Sequence, residues 1–376
     1  TEGTYTLTVK TLDKVSNSST RGYTVKIDKT APTDVAPIAT ATTNSITATF
    51  KQTDSLSGIN NSSIQYAIKD GNSWSAWQTS KTFTGLKINQ TYTIKTKATD
   101  NAGNTQESKE LSITTTELKA GTLTLTKETA TGSAYTSGQW SNKNVYVKLV
   151  QSSTGTSTYS STSNSAQLVS AGTTVDTTVS TNGTTTLKVT TTDGTNSVSN
   201  TYVIKIDKTA PTAGTLTMKL NSSTGAAYTA NTWTANSVYV HLNNGSDETN
   251  GSGHKSTSYS ITGPTTASGT NDATLTTTGT YTDKITTTDN AGNSATRTQI
   301  VKIDKEAPTA PEITNPSNGA WTNGNVTITA KSTDAHSGID KIEWYENGAW
   351  TTRALTTTDG TGVITYTVDR NETIRF

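Results

Sequence analysis

The sequence predicts an all-β protein built as tandem small β-sandwiches in an elongated array. Three observations carry this. The run Asp-Lys-Thr/Glu-Ala-Pro recurs at Asp28, Asp207 and Asp304, each time closing a short alternating strand. An Asp-containing loop precedes each run by 14 or 15 residues, at Asp13, Asp193 and Asp289. Between these landmarks apolar and polar residues alternate with period two, the mark of half-buried strands. A cassette that repeats at such intervals is read as a repeat architecture before any single residue is weighed.

The intervals set the domain count. Asp207 and Asp304 are 97 residues apart, and the 179 residues from Asp28 to Asp207 hold two units. The expected division is a C-terminal hairpin at 1–30, complete units at 31–118, 119–208 and 209–305, and a truncated unit at 306–376. Each complete unit has the size of a sandwich. The junction near Leu118 lacks the proline run, which leaves its stiffness the least defined. The sequence opens inside a unit and reads as part of something longer. It holds no run long enough to span a bilayer.

Composition fits thin-cored sandwiches. Hydrophobic residues make up 30% of the 376, and roughly one residue in four is threonine. Low hydrophobicity with high net charge signals disorder, but here thirty basic residues meet twenty-nine acidic ones for a net charge of +1. Threonine favours extended backbone and keeps a sheet face wettable. That charge balance provides no polyelectrolyte footprint, which argues against nucleic acid as a partner. There is no cysteine, so the units must hold by packing alone.

The strands follow in order. Tyr5, Leu7, Val9 and Thr11 form one inward row and Tyr23, Val25 and Ile27 another. Pro32 then breaks the ladder and pushes Ala31 toward an extended conformation, giving a short, stiff joint. The second unit offers strands at 45–50 and 63–68, a turn through Asp70 and Gly71, and Trp74 and Trp77. An inward row Tyr92, Ile94, Thr96 and Ala98 follows, then a hairpin through Asp100-Asn101-Ala102-Gly103-Asn104 to a strand at 110–115. Gly103 suits the left-handed position of such a turn. Units three and four resemble each other: Trp140 precedes Val145-Tyr146-Val147 as Trp233 precedes Val238-Tyr239-Val240. Unit five places Trp321 likewise, then echoes unit two, Asp334 to Ile339 matching Asp54 to Ile59. Dense Thr, Asn and Gly argue against long helices.

Thr-Asp-Asn-Ala-Gly-Asn at 99–104 and 288–293, together with Ile-Asp-Lys-Thr-Ala-Pro at 27–32 and 206–211, resembles bacterial immunoglobulin-like repeats. Unit two also resembles a fibronectin type III module. The pattern departs at 193–196, where Asp-Gly-Thr-Asn replaces Asp-Asn-Ala-Gly. The resemblance implies tandem immunoglobulin-like/fibronectin type III-like β-sandwiches of secreted bacterial cell-surface or phage-appendage proteins. It implies no single activity, because such modules serve as stalks, spacers, adhesins and enzyme attachments.

No enzyme emerges from the residues. His241, His254 and His336 are the only histidines and are widely spaced, so helical zinc signatures are absent. No cofactor is required, but calcium competes with plain turn chemistry for the Asp/Asn loops. A calcium site needs several converging hard oxygens; the candidates are Asp100, Asn101 and Asn104 near Asp28, and Asp289, Asn290 and Asn293 taken with Asp304. Against it, Asp and Asn in hairpin turns serve nearby backbone groups, and the expected result is an architectural role. Trp140, Trp233 and Trp321 read as core or edge packing. Trp74, Trp77, Trp344 and Trp350 flank Gly-containing turns and are the candidates for a glycan or protein contact. Lys95 and Lys97 read as a solvated strand face.

The expected function is therefore a non-catalytic extracellular structural or adhesive array, a stalk or surface appendage with neighbouring copies, surface glycan or protein as partners. The competing readings are a glycan-binding accessory region of a secreted carbohydrate-active enzyme and a phage tail or capsid fibre module.

Overall fold

The structure, a computed structural model, describes residues 1–161, 176–315, 320–346 and 348–369. Among them the regular elements are β-strands and one short 3-10 turn, Asn61–Ser63. The chain divides into two compact bodies, 1–139 with 143–205, and 140–142 with 206–376. Each is built of small antiparallel sandwich units.

The first body opens with a hairpin of Gly3–Leu12 and Ser18–Ile27, in register from Gly3 opposite Ile27 to Leu12 opposite Ser18. Its apolar row is aligned as the alternation requires, with Tyr5 facing Val25 and Leu7 facing Tyr23. No second sheet covers that row among the described residues, and Leu7 remains 59% exposed. The next unit packs the sheet Ile38–Ala41, Ser45–Thr49, Thr82–Thr84 against Leu111–Thr114, Thr91–Thr99, Gln65–Asp70, Ser73–Trp74. Ile46, Phe83, Tyr92 and Ile94 form its core. A further unit sets Thr122–Lys127, Val145–Val150 and Asp176–Val179 beside Ser197–Ile206, Gly183–Thr192 and Thr156–Ser161.

One sequence expectation changes here, and one strand is added. Ser63 ends the 3-10 turn, whose cap Asn60 accepts from the Ser62 amide at 3.1 Å, so the strand expected from 63 begins at Gln65. The strand expected at 110–115 is present as Leu111–Thr114, and a further strand, Thr105–Glu107, precedes it. Thr105–Glu107 pairs with Lys97 to Thr99, while Leu111–Thr114 pairs one register step away with Thr91 to Ile94. Ser108 sits in the gap, its hydroxyl accepting from the Thr96 amide at 2.9 Å, and Thr96 donates in turn to Gln52 Oε1 at 2.9 Å. A bulge of this kind keeps apolar side chains on the core face across the slip.

In the second body, Thr215–Leu220, Val238–Asn243 and Ala273–Leu275 face the sheet of Trp233–Thr234, Ser294–Ile303, Gly279–Asp289, His254–Thr262 and Ala267–Gly269. Val238, Val240, Tyr281 and Ile303 are wholly buried between them. The last unit comprises Glu312–Thr314, Val326–Thr333, Thr361–Val368 and Thr356–Thr358, with a two-stranded sheet of Glu343–Glu346 and Ala349–Thr352. Its core centres on Trp344, Ile364 and Tyr366.

Threonine earns its abundance on the outer faces. Hydroxyls meet across strands at Thr91–Thr114 (2.8 Å), Thr99–Thr105 (2.8 Å) and Thr327–Thr367 (3.3 Å). Such cross-strand pairs stabilise a sheet without burying a side chain.

Candidate functional site

The recurrent aspartates form one repeated joint. At the end of each alternating strand the linker Asp turns back onto its own chain, Oδ1 accepting from the amide two residues on: Thr30 at 3.0 Å, Thr209 at 3.0 Å and Glu306 at 3.1 Å. Oδ2 reaches forward to a loop of the following unit. Asp28 accepts from the Ser57 amide at 2.9 Å, Asp207 from Ser252 at 2.7 Å and Asp304 from Ser337 at 3.0 Å. Hydrogen bonding from Ser57 holds the Asp28 carboxyl below its ordinary range. Burial pushes Asp207 and Asp304 up, but the bonds from Ser252 and Ser337 outweigh it and hold both low. Amides aimed at a carboxylate favour its charged form.

The Asp/Asn hairpins close the same joint from the other side. Asp100 Oδ1 accepts from the Ala102 and Asn104 amides at 2.8 and 2.9 Å, and Oδ2 from Asn104 Nδ2 at 2.8 Å. Asn104 Nδ2 also lies 3.3 Å from the Asp28 carbonyl, while Asn101 donates to the Ser57 carbonyl at 2.8 Å. The second body repeats this almost atom for atom. Asp289 accepts from the Gly292 and Asn293 amides, Asn293 donates to the Asp207 carbonyl at 2.9 Å, and Asn290 donates to the Ser252 carbonyl at 2.9 Å. Gly103 and Gly292 take φ of 101° and 96°, the left-handed positions these turns require.

The structure therefore re-pairs one set of candidates. Asp289, Asn290 and Asn293 gather with Asp207, the linker before their unit, and not with Asp304. The ten-residue strand Ser294–Ile303 carries the chain from the hairpin to Asp304, a run of about 30 Å. Asp304 instead serves the Ser337 loop. Asp100, Asn101 and Asn104 do meet Asp28.

Sequence reasoning also missed three acids. Carboxyl oxygens of Asp28, Asp54 and Asp100 lie within 4.8 Å of one another, as do those of Asp207, Asp247 and Glu248. Asp54 Oδ1 accepts from the Leu56 and Gly58 amides, shaping the loop that presents Ser57. Asp247 Oδ2 accepts from Gly253 at 2.7 Å, while its Oδ1 is buried with no hydrogen-bond partner among the described residues. Hydrogen bonding to Asp247 raises the Glu248 carboxyl. These loops carry no periodic signal, but the Asp54/Asp334 echo was a pointer to the first.

A different joint stands near Leu118. There Asn44 Nδ2 donates to the Asp193 carbonyl at 2.9 Å and Asn196 Nδ2 to the Leu86 carbonyl at 3.2 Å. Burial raises the Asp193 carboxyl, but hydrogen bonds from Asn196, Thr43 and Thr195 prevail and lower it to about 2. Side-chain amides take the place of the proline run.

The tryptophans separate by environment. Trp74 and Trp77 are half-buried, and their rings carry lysines: Lys95 Nζ is 4.3 Å from the Trp74 centroid and 5.3 Å from Trp77, and Lys97 is 4.5 Å from Trp77. Lys95 also bonds Glu107 at 2.7 Å. These lysines are ring contacts, not the solvated face expected, because alternation places them on the strand face that the two indoles cover. Trp344 is fully buried, 4.8 Å from the Tyr366 ring, with Arg353 4.6 Å above it, and is a core residue rather than a contact platform. Trp350 is 60% exposed and stands edge-on to Tyr345. Trp233 pairs beside Lys302 and lies 5.8 Å from the His336 ring. Trp321, expected to pack likewise, is 99% exposed, since no equivalent strand lies beside it among the described residues.

The histidines are spread through separate hydrogen-bonding groups. His241 meets Asp272 at 2.7 Å, His254 meets Thr257 at 2.8 Å, and His336 lies 3.9 Å from Glu306. The Tyr239–Asp272 bond beside His241 has a counterpart in Tyr146–Asp176, which marks a repeated surface feature.

Residues 310–374 match the family described as a bacterial Ig domain. No curated protein matches the chain. Among solved structures, a tetra-tandem repeat from the extending region of a large adhesion protein is similar at 17% identity, covering 81% of this chain and 82% of that one, TM-score 0.28. The FN1–FN3 domains of chicken CNTN1 align at 14% identity over 73% of this chain and 99% of theirs, TM-score 0.23. Extracellular cadherin domains 3–6 of protocadherin gamma B2 align at 11% identity over 80% and 92%, TM-score 0.21.

Proposed function

We propose that this chain is a non-catalytic extracellular array, a hairpin of one unit at 1–30, complete sandwich units at 31–118, 119–208 and 209–305 and a truncated unit at 306–376, that forms a bacterial stalk or adhesive appendage. The observation that carries the reading is the joint itself. Three linker aspartates repeat one bond to a serine amide of the following loop, and two of the joints are closed again by Asn104 and Asn293. A chain that invests its recurrent residues in joints works through reach and stiffness, and adding modules extends it without a new cleft in each. Solution scattering tests this. At about 35–45 Å per sandwich, the particle should exceed about 120 Å in length and shorten on average when Asp28 and Asp207 are both replaced by alanine. A compact profile would sink the proposal.

Calcium is a second element of this reading, favoured by the buried free oxygen of Asp247 and the raised carboxyl of Glu248. Asp207, Asp247 and Glu248, and Asp28, Asp54 and Asp100, supply the hard oxygens such an ion takes. There it would neutralise the converging carboxylates and tie linker to loop. A glycan or protein contact falls to Trp350, the one of the four tryptophan candidates with an exposed ring; a glycan array with the W350A variant tests it.

A further inference from the structure

Asp283 sits in the middle of the strand Gly279–Asp289, on the face that turns Tyr281 and Ile285 into the core. It is wholly buried, and neither carboxyl oxygen has a hydrogen-bond partner among the described residues. Across the sheet it stands opposite Ile261 on one side and Gln299 on the other, and Gln299 Oε1 is already engaged by the Leu216 amide at 2.8 Å. The titratable side chains nearby are Tyr259 on the adjacent strand, whose hydroxyl donates to the Asn271 carbonyl, and Tyr281 on its own strand, whose hydroxyl donates to the Thr277 carbonyl. The facing sheet contributes Leu216, Met218, Val240 and Leu275 to this core.

The repeat shows what belongs at this place. Gly183-Thr-Thr-Thr-Leu187-Lys-Val in the preceding sandwich aligns with Gly279-Thr-Tyr-Thr-Asp283-Lys-Ile, and Leu187 is wholly buried. The cross-strand pair has exchanged polarity: Ser161 opposite Leu187 there, Ile261 opposite Asp283 here. The polar member therefore lies inside the core in the fourth sandwich.

We propose that Asp283 makes this sandwich a pH-dependent element of the chain, held shut while the carboxyl is protonated and loosened once it ionises. An unpaired charge in an apolar core is costly, and the unit avoids that cost by keeping the proton or by opening to water. Burial pushes the group up to about 7. With the folded value above the ordinary 3.8, its contribution to stability is complete below pH about 4. It declines as pH rises through about 7 and is constant above that. The inference stands apart from the stalk reading.

Hydrogen exchange of the whole chain from pH 5 to 9, corrected for intrinsic rates, reads each sandwich separately. Protection of amides at 215–303 should fall about tenfold per pH unit between pH 5 and 7, one proton's worth, and level off above. Asp283→Asn, neutral at every pH, and Asp283→Leu should both remove the slope, and Leu187→Asp should confer it on the preceding sandwich. Protection at 215–303 that is independent of pH in the native chain, or a slope that survives both Asp283 substitutions, would overturn the proposal.

Discussion

Asp207 and Ser252 are joined across 45 residues by one hydrogen bond, the Ser252 amide donating to Asp207 Oδ2 at 2.7 Å. The donor is the loop's backbone, while the serine hydroxyl also helps hold the carboxyl low and accepts from the Ala291 amide at 3.0 Å. Ser252→Ala should therefore keep the backbone bond and lose only the hydroxyl's share, a smaller loss than at Asp207. Asp207→Ala should destabilise the second body by about 1.5–3 kcal/mol, the range for a bond to a charged group. Calorimetry on both variants checks the contrast, and equal losses would remove the backbone latch from the account.

Acid should loosen the joints. Asp193, Asp207 and Asp304 all have folded values below the ordinary 3.8, Asp193 at about 2. A depressed carboxyl stabilises the fold above its unfolded value and loses that contribution as pH falls through the folded one. Melting temperature should thus drop between pH about 4 and 2, and Asp193→Asn should flatten part of that drop.

Lys95, Trp74 and Trp77 should behave as one group. Removing Lys95 or Trp74 singly breaks the same contact, so the double variant should cost less than the sum, by about 0.5–1 kcal/mol for an accessible cation–π pair. A double-mutant cycle by urea unfolding measures the coupling, and zero coupling would leave the lysines as bystanders.

Trp344→Ala and Trp350→Ala should diverge. The first empties a core site and should cost about 3–5 kcal/mol. The second alters an exposed ring and should stay within about 0.5 kcal/mol. Any loss of glycan or protein capture by Trp350→Ala would then report contact rather than unfolding.

Calcium should raise the melting temperature at constant ionic strength, with excess chelator reversing the rise. Asp54→Asn and Asp247→Asn together should abolish it. No response in the native chain would leave the joints held by hydrogen bonds alone.

Much of this fold was legible because its signals are local. Tyr92, Ile94 and Ala98 are buried where period two places them, and Gly103 takes the left-handed turn its position demands. What was not legible depends on distance through space. Asp289 and Asp304 are close in sequence, yet a full strand separates them; Asp54 and Asp100 are far apart in sequence, yet converge. Trp344 and Trp350 look alike beside glycine turns, and only the second sheet decides that one is core and the other exposed. The inward Asp283 breaks no periodic rule, since alternation fixes the face a side chain takes but not the partners it finds there.

The hydroxyl pairs at Thr91–Thr114, Thr99–Thr105 and Thr327–Thr367 carry one more consequence. Counter-ions screen exposed charges from one another, most fully beyond a Debye length, but they have no purchase on two neutral hydroxyls. Faces cross-linked in this way keep their cohesion in fresh water and in brine alike.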